Sequence, residues 1–416
     1  MTRARLLPPA RLTRAAAALL ATGSLLVTGA LAAPSADAAP TVKVSDGRFV
    51  IKGAGYGHGH GMSQWGAYGA ARQGLSWKQI LDFYYPGATL TTLSTKTSIK
   101  VWISADDDDN LRVLPAKGLK VSDGHHHELV LPTGSQYRSW RIKRAGSGYK
   151  LSWKDAKGKY HTLSTPLDKS TWRFSVPGAA VKVRMPSGTT REYRGSMWFV
   201  KRGTSGRTVN KVRLEDYARS VVPSEMPTSW AKDAVRVQAV AARSFALRSR
   251  DAGASGRGYD VCDTTNCQVY GGKATTTAGG RRTVRETKGG DAAVRATAGV
   301  ILTYKGKAAL TQFGPSNGGA LASGGMPYLV RKKDPYDGLL QSQTWSRTIT
   351  AAALERAYPS AGTITALTIT KRDGTGRWGG RVVSISVVGS KKTIKTSGGA
   401  FQGRFGMRSS LFTVTS

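Results

Sequence analysis

"VVPSEMPTSWAKDAVRVQAVAARSFAL", residues 221–247, carries a long helical pattern. From Ala234 to Leu247 apolar side chains fall on most faces, which predicts a helix buried at the centre of the fold rather than lying on its surface. Thr228 or Ser229 can cap it, and it runs to about Arg250. Upstream, residues 214–222 predict a short helix that stops before Pro223, since proline lacks the N–H that a helix interior uses. A tight corner, Pro223 to Pro227, separates the two and holds Glu225. The prolines preset the direction of that carboxyl, and apolar surroundings raise a carboxyl pKa. Glu225 is therefore either a catalytic acid or a local cap for backbone amides. Glu215 and Asp216, in an ordinary helix start, read as surface groups. Arg236, Arg243 and Arg250 recur every seven residues on the long helix, as a solvated edge or as a stripe facing a groove.

Around this helix the pattern is mixed and mostly β. "SIKVWIS", "YKLSWKD", "TWRFSV", "VKVRM" and "SMWFVKR" alternate over short runs between polar breaks, which predicts strands between residues 98 and 215. "ADDDDN" and "GHHHEL" fall between them and read as solvated turns; neighbouring histidines on a strand point to opposite faces, so three in a row do not ligate one ion. Residues 40–52 predict a strand. Residues 62–73 predict a helix whose glycines require a close neighbour, and Ser76 with Gln79 has the spacing of a capping box. The last third predicts a helix, a hairpin, a glycine-rich loop, paired strands and a short helix near residues 399–405. The fold class is α+β: a central buried helix with mixed, mostly antiparallel β-structure and a β-rich insert.

The 39 N-terminal residues carry four arginines, then an apolar stretch, then small residues, the order of a cleaved secretory signal peptide. The protein is expected to be secreted to the cell wall, with a retained anchor the weaker alternative. The formal net charge is +37. Such a field attracts polyanions; outside a cell those are anionic wall polymers, and no nucleic acid is expected. The bland alternative is a generally basic surface. Cys262 and Cys267 are the only cysteines, and a close pair in an oxidising compartment reads most simply as a disulfide. The chain has no strong Ser/His/Asp signature, no H-E-x-x-H and no convincing phosphate-binding loop. His58 and His60, in "GAGYGHGHGMSQWG", lack a third ligand nearby, so no metal is expected.

The 221–247 stretch resembles the core signature of the SpoIID/LytB family of peptidoglycan lytic transglycosylases and amidase-enhancer-like proteins. "DVCDTTNCQVYGG", "FGPSNGG" and "SGGAFQGRFGMRS" are similar to further family blocks in the expected order, and the opening stretch resembles the family's G-H-G-x-G-M-S-Q block. Beyond the signal peptide over 1–39, the resemblance implies an N-terminal segment over 40–94 packing on the cleft and a family domain over 95–416 with its insert near 105–170. By the same resemblance Glu225 is the catalytic acid and Arg243 a site arginine. His58, Ser63 and Gln64, Gln268 and Tyr270, and Ser316 and Gly318 contact substrate, while Met62 completes its block. The implied reaction is cleavage of glycan strands after N-acetylmuramic acid by a single carboxylate, leaving 1,6-anhydro ends. The alternative is a non-catalytic amidase enhancer, with a cell-wall amidase as partner.

Two departures stand out. In many relatives the G-H-G block lies at the C-terminal end, so here the chain termini must meet for it to reach the cleft. Some relatives bind zinc at the cysteine loop with added histidines; here Asn266 precedes Cys267, two thiols cannot complete a tetrahedral site, and no cofactor is expected. For the opening block itself there are two expectations. The glycines let glycan approach the backbone while His58 and Gln64 touch sugar, or the block packs the cleft wall.

Overall fold

The computed structural model describes residues 41–123, 127–165, 167, 171–253 and 257–415. The signal-peptide reading and His125 and His126 of the histidine run fall outside these residues. Among the described residues no helix is long and apolar enough to cross a membrane.

Five helices surround the site: α1 (Gln64–Arg72), α2 (Trp77–Tyr84), α3 (Leu214–Glu225), α4 (Lys232–Asp251) and α5 (Lys288–Ala296). Helix α4 is the expected central helix. Its alanines and valines, from Ala234 to Ala246, are buried, and their small size lets α1, α2, α3 and α5 pack around it in one apolar core. Helix α1 comes close for the same reason: a Cβ on Gly66 would overlap the Tyr84 hydroxyl, and one on Gly69 the Tyr336 carbonyl. The Ser76–Gln79 capping box opens α2 as the sequence predicts.

Two helix boundaries correct the sequence reading. Helix α3 continues through Pro223 to Glu225. Pro223 sits in the last turn, where its missing N–H costs one bond, and Ser224 Oγ donates to the Ser220 carbonyl at 2.8 Å in that turn. Helix α4 begins at Lys232 after an Ala231 N-cap without a side-chain cap. Thr228 bonds the Thr287 hydroxyl instead (2.7 Å), and the Trp230 N–H closes a turn onto the Pro227 carbonyl.

A second core lies between a seven-stranded and an eight-stranded sheet. All the strands predicted between residues 98 and 215 are present. Residues 105–170 do not stand apart from their surroundings. Strands Asn110–Val113 and Ser139–Ala145 share the larger sheet with Val181–Arg184, Thr190–Tyr193 and Ala274–Thr276, and Lys120–Ser122 pairs with Arg173–Ser175. The aspartate run is not wholly solvated either. Asp106 is 1% exposed and accepts from Thr208 Oγ1 at 2.7 Å.

The third core joins the chain's beginning to its end. Strand Arg48–Ala54 lies between Thr344–Thr350 and Phe412–Thr415, antiparallel to both. This pairing brings the glycine-rich opening block against residues near 315. Met62–Ser63 runs parallel to Phe313–Gly314, and isolated bridges join Tyr56 to Ser316 and His60 to Ala322.

Candidate active site

Five segments of the chain form one cleft of about 590 Å³. The opening block supplies Tyr56, His58 and Gln64. The end of α3 supplies Glu225, the cysteine loop Thr265, Asn266 and Cys267, and the segment from Gln312 to Pro315 the opposite wall. Phe245 of α4 adds an apolar patch. Glu225 is the only carboxylate among the lining residues.

Burial raises the Glu225 carboxyl above its ordinary range; the Val269 N–H, which donates to Oε1 at 2.6 Å, offsets part of that rise. The group is thus oriented by the backbone just beyond the cysteine loop. Its main chain is held from the other side: Gln64 Nε2 donates to the Glu225 carbonyl at 2.9 Å and to Gln238 Oε1 at 3.1 Å. Cys262 and Cys267 are disulfide-bonded, and among the described residues no three His, Cys, Asp or Glu side chains group as metal ligands.

His58 lines the cleft, but both its ring nitrogens are engaged. Nδ1 accepts the His60 N–H at 2.9 Å, which leaves Nε2–H to donate to the Phe313 carbonyl. Crowding by protein, with the charges of His60 and Arg381 nearby, holds its pKa down to about 4. The ring is a neutral wall element, not a base. Beneath the block lies Arg381, 5% exposed, which donates to the carbonyls of Gly57 and Asn317 (3.1 Å each). Burial lowers its pKa to about 10. A Cβ on Gly59, where φ is +78°, would overlap this guanidinium. That glycine therefore makes room for the Arg381 side chain.

Several expected site residues lie elsewhere. Arg243 does not line the cleft. It is fully buried; Nη2 donates to Glu215 Oε2 (2.6 Å) and the Val294 carbonyl (2.8 Å), and Nη1 to Thr297 Oγ1 (3.1 Å). Glu215 in turn accepts the Gly299 N–H at 3.0 Å. Glu215 is thus no free surface group; the pair ties α3 and α4 to the end of α5. Ser63 is buried and caps α1 through the Gly66 N–H. Gln268 accepts from the Tyr217 hydroxyl (2.8 Å), and Tyr270 donates to Asn210 Oδ1 (2.6 Å); both are buried and neither lines the cleft. Ser316 and Gly318 line a separate recess of about 360 Å³, where both donate to Asp337 Oδ2.

The family profile described as Stage II sporulation protein, SpoIID, matches residues 202–304. Over that quarter of its length the chain is similar to the SpoIID family. The matched SpoIID segment contains Glu225, Arg243, the disulfide, Gln268 and Tyr270; the opening block and the 312–319 loop lie outside it. Stage II sporulation protein D of Bacillus amyloliquefaciens is 31% identical over 221 residues, 50% of this chain and 62% of that protein. Its Bacillus subtilis namesake is 32% identical over 163 residues, 37% of this chain and 48% of that protein. The Amidase enhancer of Bacillus subtilis is 32% identical over 143 residues, 33% of this chain and 17% of that protein. In each case the chain spans less than two thirds of the relative's length.

Sequence reasoning missed Val269, Gln238, Phe245 and Arg381. Val269 and Gln238 act through contacts that only the folded chain creates, and Arg381 in "WGGRVV" has no sequence signal of a loop support.

Proposed function

We propose that this SpoIID-family protein acts at the cell wall and cleaves peptidoglycan glycan strands between N-acetylmuramic acid and N-acetylglucosamine, leaving 1,6-anhydro ends. The observation that carries the reading is the lone carboxylate of the cleft. Hydrolysis ordinarily uses two carboxyl groups, one to protonate the leaving oxygen and one to activate water or attack carbon. A cleft with one favours a reaction whose nucleophile belongs to the substrate. Protonated Glu225 gives its proton to the glycosidic oxygen as the bond to C1 breaks. The resulting carboxylate then takes the proton of the sugar's own C6 hydroxyl, whose oxygen closes on C1. The raised pKa of Glu225 keeps the acid form available nearer neutrality, as the first step requires. Gln64 and the Val269 N–H fix the carboxyl's position. In this reading the protein is secreted, no cofactor takes part, and the cleft accepts a glycan strand.

The similarity to the Amidase enhancer favours a second reading, in which the protein binds wall glycan and stimulates an amidase without cleaving. One experiment separates them. Purified protein and Glu225→Gln are incubated with glycan strands, with and without stem peptides, and products are read by mass spectrometry. Anhydro-muropeptides that appear with the native protein and vanish with Glu225→Gln support cleavage. Their absence from the native digest on both substrates sinks it.

A further inference from the structure

One face of the seven-stranded sheet is unlike the other. Ile99, Val101, Phe174, Met197, Phe199 and Val212 point into the core, so the alternate residues face outward. Cross-strand register places Lys100 opposite Lys211, and Trp198 opposite Arg173. Lys100 Nζ, Lys211 Nζ and the Arg173 guanidinium lie 5.7, 5.2 and 5.2 Å from the centre of the Trp198 ring. None of the three has an ion-pair partner among the described residues. Arg213 and Lys120 extend the same face; Lys120 pairs with Glu128 at the far edge, and Asp260 at the near rim accepts the Lys100 main-chain N–H. Some cations elsewhere are matched: Arg194 and Arg219 share Glu286 and Asp216, Arg219 also pairs with Asp291, and Arg282 has Glu192.

Like charges gathered around one ring repel each other and are relieved by an anion. Adjacent strands are about 4.8 Å apart, so these cations recur in steps that a polymer with regularly spaced charges meets several at a time. The face also adjoins the cleft. Its edge strand, Val261–Cys262, has Cys262 in register with Trp102 and leads into Thr265–Cys267 of the cleft wall.

We propose that this face, centred on Lys100, Arg173, Lys211 and Trp198, is a docking surface for a polyphosphodiester of the cell wall. Single-stranded nucleic acid fits less well. It needs aromatic faces free for base stacking, whereas Trp198 is ringed by cations and Trp102 is covered by Arg207, 4.6 Å from its centre. The wall as source of the polymer rests on the function proposed above; the preference for a polyanion does not.

The test uses the purified protein, sacculi bearing poly(glycerol phosphate), sacculi stripped of it, and a single-stranded DNA 30-mer as competitor. The native protein is expected to pellet at least about tenfold more strongly with the polymer-bearing sacculi. A Lys100→Gln/Arg173→Gln/Lys211→Gln protein should lose that preference, and its log–log salt slope should fall by about 2, roughly 0.7 per released counterion. Its melting temperature and its action on short soluble glycans should be unchanged. Lys100→Gln/Lys211→Gln should show an intermediate loss. Equal pelleting with both sacculi, an unaltered triple variant, or displacement by DNA at lower phosphate concentration overturns the proposal. Glu225→Gln should pellet like the native protein, so failure of the cleavage reading leaves this result legible.

Discussion

The side-chain amide of Gln64 reaches across 161 residues of sequence to the main-chain carbonyl of Glu225 at 2.9 Å. It joins the opening block to the only carboxylate-bearing position of the cleft. Gln64→Ala leaves that carbonyl and Gln238 Oε1 without this donor, at a cost of about 1–3 kcal/mol in stability. Under the proposed reaction, turnover should fall by about tenfold to a hundredfold, more than the unfolded fraction explains, because the acid loses its fixed position. Chemical denaturation alongside anhydro-product kinetics checks both.

Glu225 titrates above the usual carboxylate range because it is buried. Under the proposed reaction cleavage starts from its protonated form, so activity should decline as pH rises through that raised pKa. The stability sign runs the same way. A carboxyl raised in the folded state favours folding at low pH, and that contribution is lost as pH climbs through the folded pKa. Glu225→Gln should therefore be inactive yet at least as stable as the native protein at pH 7, by thermal melting. A less stable inactive variant would mark the residue as structural.

His58 should stay neutral across the working range. Its midpoint near 4 is well below the ordinary 6.5, and it can be followed by NMR of the imidazole. A histidine depressed on folding supports stability above its unfolded pKa, and that support is lost as pH falls toward the folded value. His58→Gln should therefore flatten acid sensitivity between about pH 6.5 and 4 while retaining most activity. A large loss of turnover at pH 7 would give the ring a direct role that its two engaged nitrogens argue against.

Arg243 and Glu215 form a structural pair. Removing one partner leaves a buried charge uncompensated, so Glu215→Gln or Arg243→Met should destabilise by about 3–5 kcal/mol. The folded fraction should cleave with an unchanged KM. A raised KM with full stability would return Arg243 to the substrate.

Asp106, raised to about 7 by burial, should make the fold less stable as pH climbs from about 4 to 7, since the unfolded chain gives up that proton first. Asp106→Asn should remove on the order of 2–4 kcal/mol of that dependence, at about 1.4 kcal/mol per pH unit. Urea midpoints at pH 5 and pH 8 measure it.

Periodicity and local chemistry carried much of the architecture. The apolar wrap of residues 234–247, the alternating runs between 98 and 215 and the Ser76–Gln79 box all act within a few residues, so they can be read in order along the chain. The order of short motifs gave the resemblance to the SpoIID family, which the profile match supports over residues 202–304. What stayed hidden depends on partners far away in sequence. The burial of Arg243 is decided by Glu215, Val294 and Thr297, and the glycine at position 59 by Arg381. Pro223 misled because a rule for helix interiors was applied to a last turn. Gln268, Tyr270, Ser316 and Gly318 sit in motif blocks near the cleft, and a block's position does not say which way each side chain points.

Strand Arg48–Ala54, which carries the chain into the cleft wall, has Phe412–Thr415 as one of its two neighbours. The other neighbour, Thr344–Thr350, is translated some 60 residues before Phe412–Thr415, so the strand gains its two edges one after the other. Disruption of Phe412–Thr415 would expose a hydrogen-bonding strand margin and unseat His58 and Gln64 together, although both lie some 350 positions away.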